Sequence, residues 1–161
     1  MAAKKKQLIR GRAKASAPKA SAPKARRKTA PPDSRRTVDP GWAWDDRLPL
    51  AQGKQIGNTI YVSGQIAYDS NGELVGEGDM KAQTRQVFDN IKSILESAGS
   101  GLKDIVKINT YITDGSKFMD MLAVRSEIFG DDPPASTAVV VAALAFPALL
   151  IEVEAVAIKR A

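Results

Sequence analysis

Residues 133–158, PPASTAVVVAALAFPALLIEVEAVAI, carry the reading on which the fold turns. Two prolines halt whatever precedes them, and a small polar pair follows at Ser136 and Thr137. Two nearly unbroken apolar runs, STAVVVAAL and LLIEVEAVAI, are then divided by a turn at Pro147. Runs of this length, rich in Val and Ile and bounded by prolines, read as buried strands. A polar doublet at the mouth of such a strand is a place where an enzyme can put a reactive or substrate-holding group. It is equally the ordinary start of a strand.

Upstream, SKFMDMLAVRSEIF (residues 116–129) has helical periodicity, with Ser116 as its expected cap. Phe118, Leu122 and Phe129 are expected to face one way, and Met121, Val124 and Ile128 widen the stripe. A helix this apolar packs on both its sheet and a neighbour. DIVKINTYIT (residues 104–113) reads as a strand with Ile105, Lys107, Asn109 and Tyr111 on one side. Before it lies a long helix with Asp79 as N-cap, Val87, Ile91, Ile94, Leu95 and Ala98 as its apolar face, and Gly99 placed to end it. NTIYVSGQIAY is a strand in which Ile60 and Val62 alternate against Tyr61 and Ser63. Gly64 would let another backbone or a ligand come close. In DSNGEL, Asn71 and Gly72 are expected at the positive-φ positions of a hairpin turn. The order β, β, α, β, α, β, β predicts an α+β fold, with two helices on one face of a mixed sheet. The other face still carries Val, Ile and Ala, and self-association is the natural way to cover it.

The first 40 residues differ in kind. Residues 4–36 contain an imperfect KASAP repeat and almost no large apolar side chain, a composition too poor in burial to offset chain entropy. We therefore expect a disordered basic tail over residues 1–40 and one folded domain over residues 41–161. Residues 1–47 hold 14 Lys+Arg and 4 Asp+Glu, a balance of +10. The remainder holds 24 − 14 = 10 basic and 18 − 4 = 14 acidic residues, a balance of −4. The net +6 thus belongs to the tail. Such a tail serves as a solubilising linker, as a transit peptide, or as a salt-sensitive, sequence-independent attachment to nucleic acid or another polyanion. No aromatic is interleaved in it for base stacking. Trp42 and Trp44 are expected to pin the incoming chain to the body, with ligand stacking as the alternative.

With Cys 0 and His 0, thiol nucleophiles, disulfides, imidazole bases and the usual Cys/His zinc sites are excluded. Acid–base work falls to carboxylates, Lys, Tyr, the backbone or positioned water. No apolar run approaches the length of a membrane span, and no apolar segment follows the basic N-terminus. We expect a cytoplasmic protein with no membrane partner.

GNTIYVSGQIAYDSNGEL, KAQTRQVFDNIKSILESAG, DIVKINTYITD and PPASTAVVVAALAFPALLIEVEAVAI together resemble the RidA/YjgF family of reactive-intermediate (enamine/imine) deaminases. The resemblance covers about residues 48–159; the basic tail has no counterpart in it. It implies a chorismate-mutase-like α+β subunit, a homotrimer, and small-molecule clefts between subunits. It also implies hydrolysis of an imine with release of ammonia and without metal or cofactor. In the deaminases an arginine after PPA clamps the substrate carboxylate. A final-strand glutamate and backbone groups near an SG turn position the water. Here the SG turn is Ser63 and Gly64, and the glutamate is Glu152. The arginine position holds Ser136, a cleft asparagine falls on Leu122, and a tyrosine falls on Leu50. A hydroxyl cannot reproduce the bidentate bonds of a guanidinium, so hydrolysis of amino-acid-derived imines through position 136 is expected to be poor.

The candidate catalytic residues are therefore Glu152 and Ser136. The candidate substrate-binding residues are Ser63, Gly64, Thr137, Leu122 and Arg125. Glu152 lies among apolar neighbours, where burial raises a carboxyl pKa and suits proton shuttling; an inter-subunit ion pair is its alternative. Ser136 could orient water or a neutral carbonyl, and Thr137 could donate into the cleft, each against a plain strand-start role. Arg125, almost one turn after Leu122, could bring a replacement cation, against a surface ion pair. Arg85 is expected in a surface or inter-subunit ion pair. Two functional classes stand: a deaminase-type hydrolase, and a non-catalytic ligand-binding or interaction trimer that the tail attaches to a polyanion.

Overall fold

The computed structural model describes residues 35–42 and 49–160. The expected tail, its proposed polyanion attachment and Trp44 fall largely outside these residues. Six strands form one sheet: β1 (Arg35–Val38), β2 (Gly53–Ile56), β3 (Thr59–Gln65), β4 (Ile105–Ile112), β5 (Ala135–Val140) and β6 (Ile151–Ile158). Two α-helices, α1 (Met80–Ser97) and α2 (Phe118–Phe129), interrupt them. The sheet runs β1-β2-β3-β6-β4-β5, antiparallel throughout except for the parallel β4/β5 pair. The mixed sheet with two helices is the architecture expected from the pattern. Its first strand is not, because residues 35–38 fall within the expected tail. Val38 is nevertheless buried in the core, as is Trp42, so the fold reclaims the end of the basic segment through two apolar residues.

The long helix forms for the reasons its sequence suggests. The Asp79 carboxylate accepts from the Lys81 and Ala82 amides, satisfying donors that a helix start leaves unpaired. Gly99 at φ +70° ends it, with Ser100 donating to Leu95 and Gly99 to Glu96, the 6→1 and 5→2 pair of a glycine C-cap. Val87, Ile91, Ile94, Leu95 and Ala98 are all buried. Two polar residues share that stripe. Gln83 donates to the Gly76 and Ala148 carbonyls and accepts from the Leu150 amide at 2.8 Å. Asn90 donates to the Ile66 and Tyr68 carbonyls at 3.0 and 2.7 Å. Each is buried and satisfied, and together they tie the loops before β6 and after β3 to the helix.

Several local expectations are corrected. At the hairpin turn only Gly72 has positive φ. Asp69 carries the turn instead, accepting from Asn71 and Glu73 amides, so Asn71 needs no left-handed conformation. Ser116 does not cap α2: it lies in a short 3-10 turn, Gly115–Lys117, and its own amide is held by the Asp114 carboxylate. Within α2 the buried residues are Met121 and Val124, while Phe118 is 36% exposed and Leu122 half-buried. In β4, a register shift between Ile105 and Lys107 puts Ile105 on the buried side with Ile108, rather than beside Lys107; a bulge does this by adding one residue to a period of two. Finally, β5 is not a buried strand. It is the sheet edge, and Val139 and Val140 are 43% and 61% exposed in the single chain.

Arg85 does make the expected ion pair, with Glu127 of α2 at 2.6 Å. It is half-exposed and contributes only about 0–1 kcal/mol. The helices are joined mainly by apolar contacts, including an edge-to-face pair of Phe88 and Phe129 at 5.4 Å.

Candidate active site

Strand β3 breaks its pairing with β6 between Val62 and Gln65, so Ser63 and Gly64 form a bulge. Ser63 is held from behind: its amide donates to the Gln52 carbonyl at 3.0 Å and its hydroxyl to the Ala51 carbonyl at 2.6 Å. Gly64 is required for space rather than for its backbone angle. A Cβ added there would overlap the Glu152 carboxylate. The serine–glycine turn and the final-strand glutamate, 88 residues apart in the chain, therefore touch.

Glu152 is half-buried, opposite Tyr111 of β4. Loss of hydration raises its pKa, and the neighbouring Glu154 charge raises it further. Among the described residues its carboxyl has no hydrogen-bond or ion-pair partner. Glu154 is occupied, accepting from Asn109 at 2.5 Å and, weakly, from the Tyr111 hydroxyl at 3.5 Å. Its charge is the main cause of the raised Tyr111 pKa. Of the two carboxylates on this face, Glu154 is a held acceptor, and Glu152 has no such partner among the described residues.

A cavity of about 340 Å³ opens beside Gly64, within the range of small-molecule sites. Leu50, Gln65, Tyr68, Asn90 and Phe146 line it with Gly64. Tyr68 and Phe146 meet edge to face at 5.8 Å, and the Asn90 bonds described above fix the chain that carries Tyr68. Leu50, where the resemblance places a tyrosine, is at this wall. Gln65, Tyr68, Asn90 and Phe146 were not anticipated. The signal available for Asn90 was a polar residue inside an apolar helix stripe; Phe146 lies in an irregular segment whose placement no periodicity reveals.

The remaining candidates lie elsewhere. Thr137 pairs with Asn109 and hence lies level with Glu154 on the uncovered sheet face, where its hydroxyl accepts from Lys107 Nζ at 2.8 Å. Ser136 pairs with Ile108, a buried residue, so it is turned to the helix side, opposite to Glu152. Leu122 and Arg125 are on α2, also on the helix side. A single chain thus unites Ser63, Gly64 and Glu152, and separates them from Ser136, Leu122 and Arg125. Among the described residues no cluster of three or more Asp or Glu side chains is placed to hold a metal ion, and no helix is long and apolar enough to cross a membrane.

Residues 44–159 match the Ribonuc_L-PSP family, endoribonuclease L-PSP. A RutC family protein of Pyrococcus abyssi is 47% identical over 113 residues, which is 70% of this chain and 87% of the relative. RidA from the Antarctic bacterium Psychrobacter is 41% identical at a TM-score of 0.64, over 68% of this chain and 88% of that one. The YjgF gene product from E. coli is 36% identical at a TM-score of 0.71, over 78% of this chain and 99% of that one. The similarity spans every element that builds the Gly64–Glu152 site.

Proposed function

The chain belongs to the endoribonuclease L-PSP family, with RutC and RidA/YjgF proteins among its relatives, and from that premise we propose that it is a homotrimeric hydrolase that deaminates a small imine or enamine in clefts between subunits. The observation that carries this reading is the Glu152 carboxyl: half-buried, without a hydrogen-bond or ion-pair partner among the described residues, with a raised pKa, and pressed against Gly64 beside a cavity. A carboxyl whose pKa is raised holds a proton more readily than an exposed one, which suits accepting and returning it. Water attacks the imine carbon as Glu152 takes one of its protons, and a C–O bond forms while the C=N π pair moves to nitrogen. The proton held by Glu152 then passes to that nitrogen. Glu152 next takes the proton of the new hydroxyl and delivers it to the same nitrogen, so the C–N bond breaks, ammonia leaves and the carbonyl forms.

Two features support placing this chemistry between subunits. The sheet face opposite the helices is left uncovered with Tyr61, Val139 and other apolar groups exposed, and the candidate residues fall into two groups that no single chain joins. A cavity of about 340 Å³ also suits one small molecule rather than a stretch of RNA. Ser136 supplies no anion grip of its own, which supports the second reading, a trimer that binds a metabolite without converting it.

Ammonia release from freshly generated small imines separates the two. The hydrolase reading expects turnover by the wild type and a fall of roughly 10²-fold or more for Glu152→Gln. Ligand-induced thermal stabilisation with no ammonia from any imine establishes the binding reading instead.

A further inference from the structure

Two buried glutamines lie against the Ser63–Gly64 bulge. Gln52 is 7% exposed and Gln65 3%, and Gln65 Nε2 donates to Gln52 Oε1 at 2.8 Å. The same nitrogen reaches the Ser63 and Gly64 carbonyls at 3.2 and 3.4 Å. Those carbonyls fix which way round the Gln65 amide sits, because only its nitrogen can donate to them. The Gln52 amide is fixed in turn, with its oxygen toward Gln65.

A carboxamide has two N–H donors and an oxygen with two lone pairs, so this pair is only half spent. Among the described residues, Gln65 Oε1 accepts no hydrogen bond and Gln52 Nε2 donates none. The enclosed side-chain polar atoms left without partners are Thr110 Oγ1 and Arg125 Nε. The two spare glutamine groups are therefore open, and both residues line the cavity of about 340 Å³ beside Gly64. Asn90, a third buried amide at this wall, has less to offer. Its N–H groups are spent on the Ile66 and Tyr68 carbonyls, and its oxygen accepts from Gln86 at 2.8 Å.

Among the described residues, none that lines the cavity carries a formal charge. A carboxylate or ammonium entering it loses hydration and meets no counter-charge. Leu50, Tyr68 and Phe146 supply apolar contact. One donor and one acceptor on adjacent side chains, between apolar walls, match a planar uncharged group with an acceptor and a donor on neighbouring atoms.

We infer that this cavity is a subsite for a carboxamide or ureido group, whose carbonyl accepts from Gln52 Nε2 and whose N–H donates to Gln65 Oε1. The inference rests on the site proposed above for the reacting carbon next to it, and adds the class of ligand: a neutral amide-type compound. Ser136, which offers no anion grip, agrees with that class. A ligand lacking either half of the amide leaves a buried glutamine group unmatched, and such losses discriminate more sharply than apolar contacts do.

The test titrates the intact full-length protein calorimetrically with benzamide, with acetophenone, in which a methyl replaces the NH₂ group, and with benzoate. Benzamide is expected to bind, and acetophenone and benzoate each to bind about tenfold or more weakly. In Gln52→Met, benzamide affinity should fall by a similar factor while acetophenone affinity stays unchanged. Nuclear magnetic resonance of the wild type locates the contact without a substitution: the Gln52 side-chain amide signal should shift with benzamide and stay still with acetophenone. Any of four results overturns the inference: no benzamide binding by the wild type, acetophenone or benzoate binding as tightly as benzamide, a Gln52 amide signal unmoved by benzamide, or undiminished benzamide affinity in folded Gln52→Met. Ammonia release by Glu152→Gln is read on other compounds, so the hydrolase reading stands or falls separately.

Discussion

Gly64 and Glu152 form one unit, and each explains the other. Because a Cβ at position 64 would occupy the space of the Glu152 carboxylate, Gly64→Ala is expected to lower turnover by roughly 10² through displacement of the carboxyl. The cost should vanish when the obstacle is gone: Gly64→Ala in a Glu152→Ala background should cost far less stability than in the wild type, a coupling read directly from a double-mutant denaturation cycle. The Glu152 carboxyl also predicts a pH dependence. Its folded pKa is raised by burial and then by Glu154, so the folded chain binds more protons than the unfolded one above the ordinary glutamate range. Stability contributed by this residue is therefore present below its unfolded pKa and lost as pH rises through the folded pKa. Thermal melts of Glu152→Gln and wild type should agree at acid pH and diverge upward, with the variant the more stable at neutrality.

Among the elements, helix chemistry was the most legible part of the sequence. Asp79, the apolar stripe of α1 and Gly99 did what local rules require, because each acts within one or two turns of chain. The start of α2 was misread for a local reason too. Ser116 has the right residue type, but Asp114, two residues earlier, takes the exposed amide and the Ser116 hydroxyl as well. Asp114→Ala should therefore cost about 0.5–2 kcal/mol and Ser116→Ala only a few tenths, as chemical denaturation would show. Strand faces were less legible. Ile105 changed sides through a bulge, and the apolar run after Thr137 became an exposed edge rather than a buried strand, since apolar composition says that a strand wants cover without saying what supplies it.

At the scale of the molecule, the uncovered sheet face is the dominant fact. Thr137 and Val139 share it with Asn109, Tyr111 and Glu154. The proposed threefold assembly would bury it. Placing a charge there, as in Val139→Asp, should give a 17.2 kDa particle by light scattering in place of one three times larger, with ligand binding lost while far-ultraviolet dichroism is kept. A variant that stays trimeric and binds ligand would remove the assembly from the functional argument.

Taken alone, the amino-acid sequence determined the two helices and the buried stripe of the first, the excluded chemistries, the separation of a basic segment from a mildly acidic body, and a family resemblance carried by several stretches. These follow from periodicity, end chemistry and composition, which are properties of neighbouring residues. Only the tertiary structure decided that Glu152 presses on Gly64, that Gln65, Tyr68, Asn90 and Phe146 wall the adjacent cavity, and that Ser136 emerges on the sheet face opposite to Glu152. The side of a sheet on which a residue emerges depends on strand register and on bulges set by distant partners. A one-residue shift, silent in the sequence, is enough to separate two candidates or bring them together.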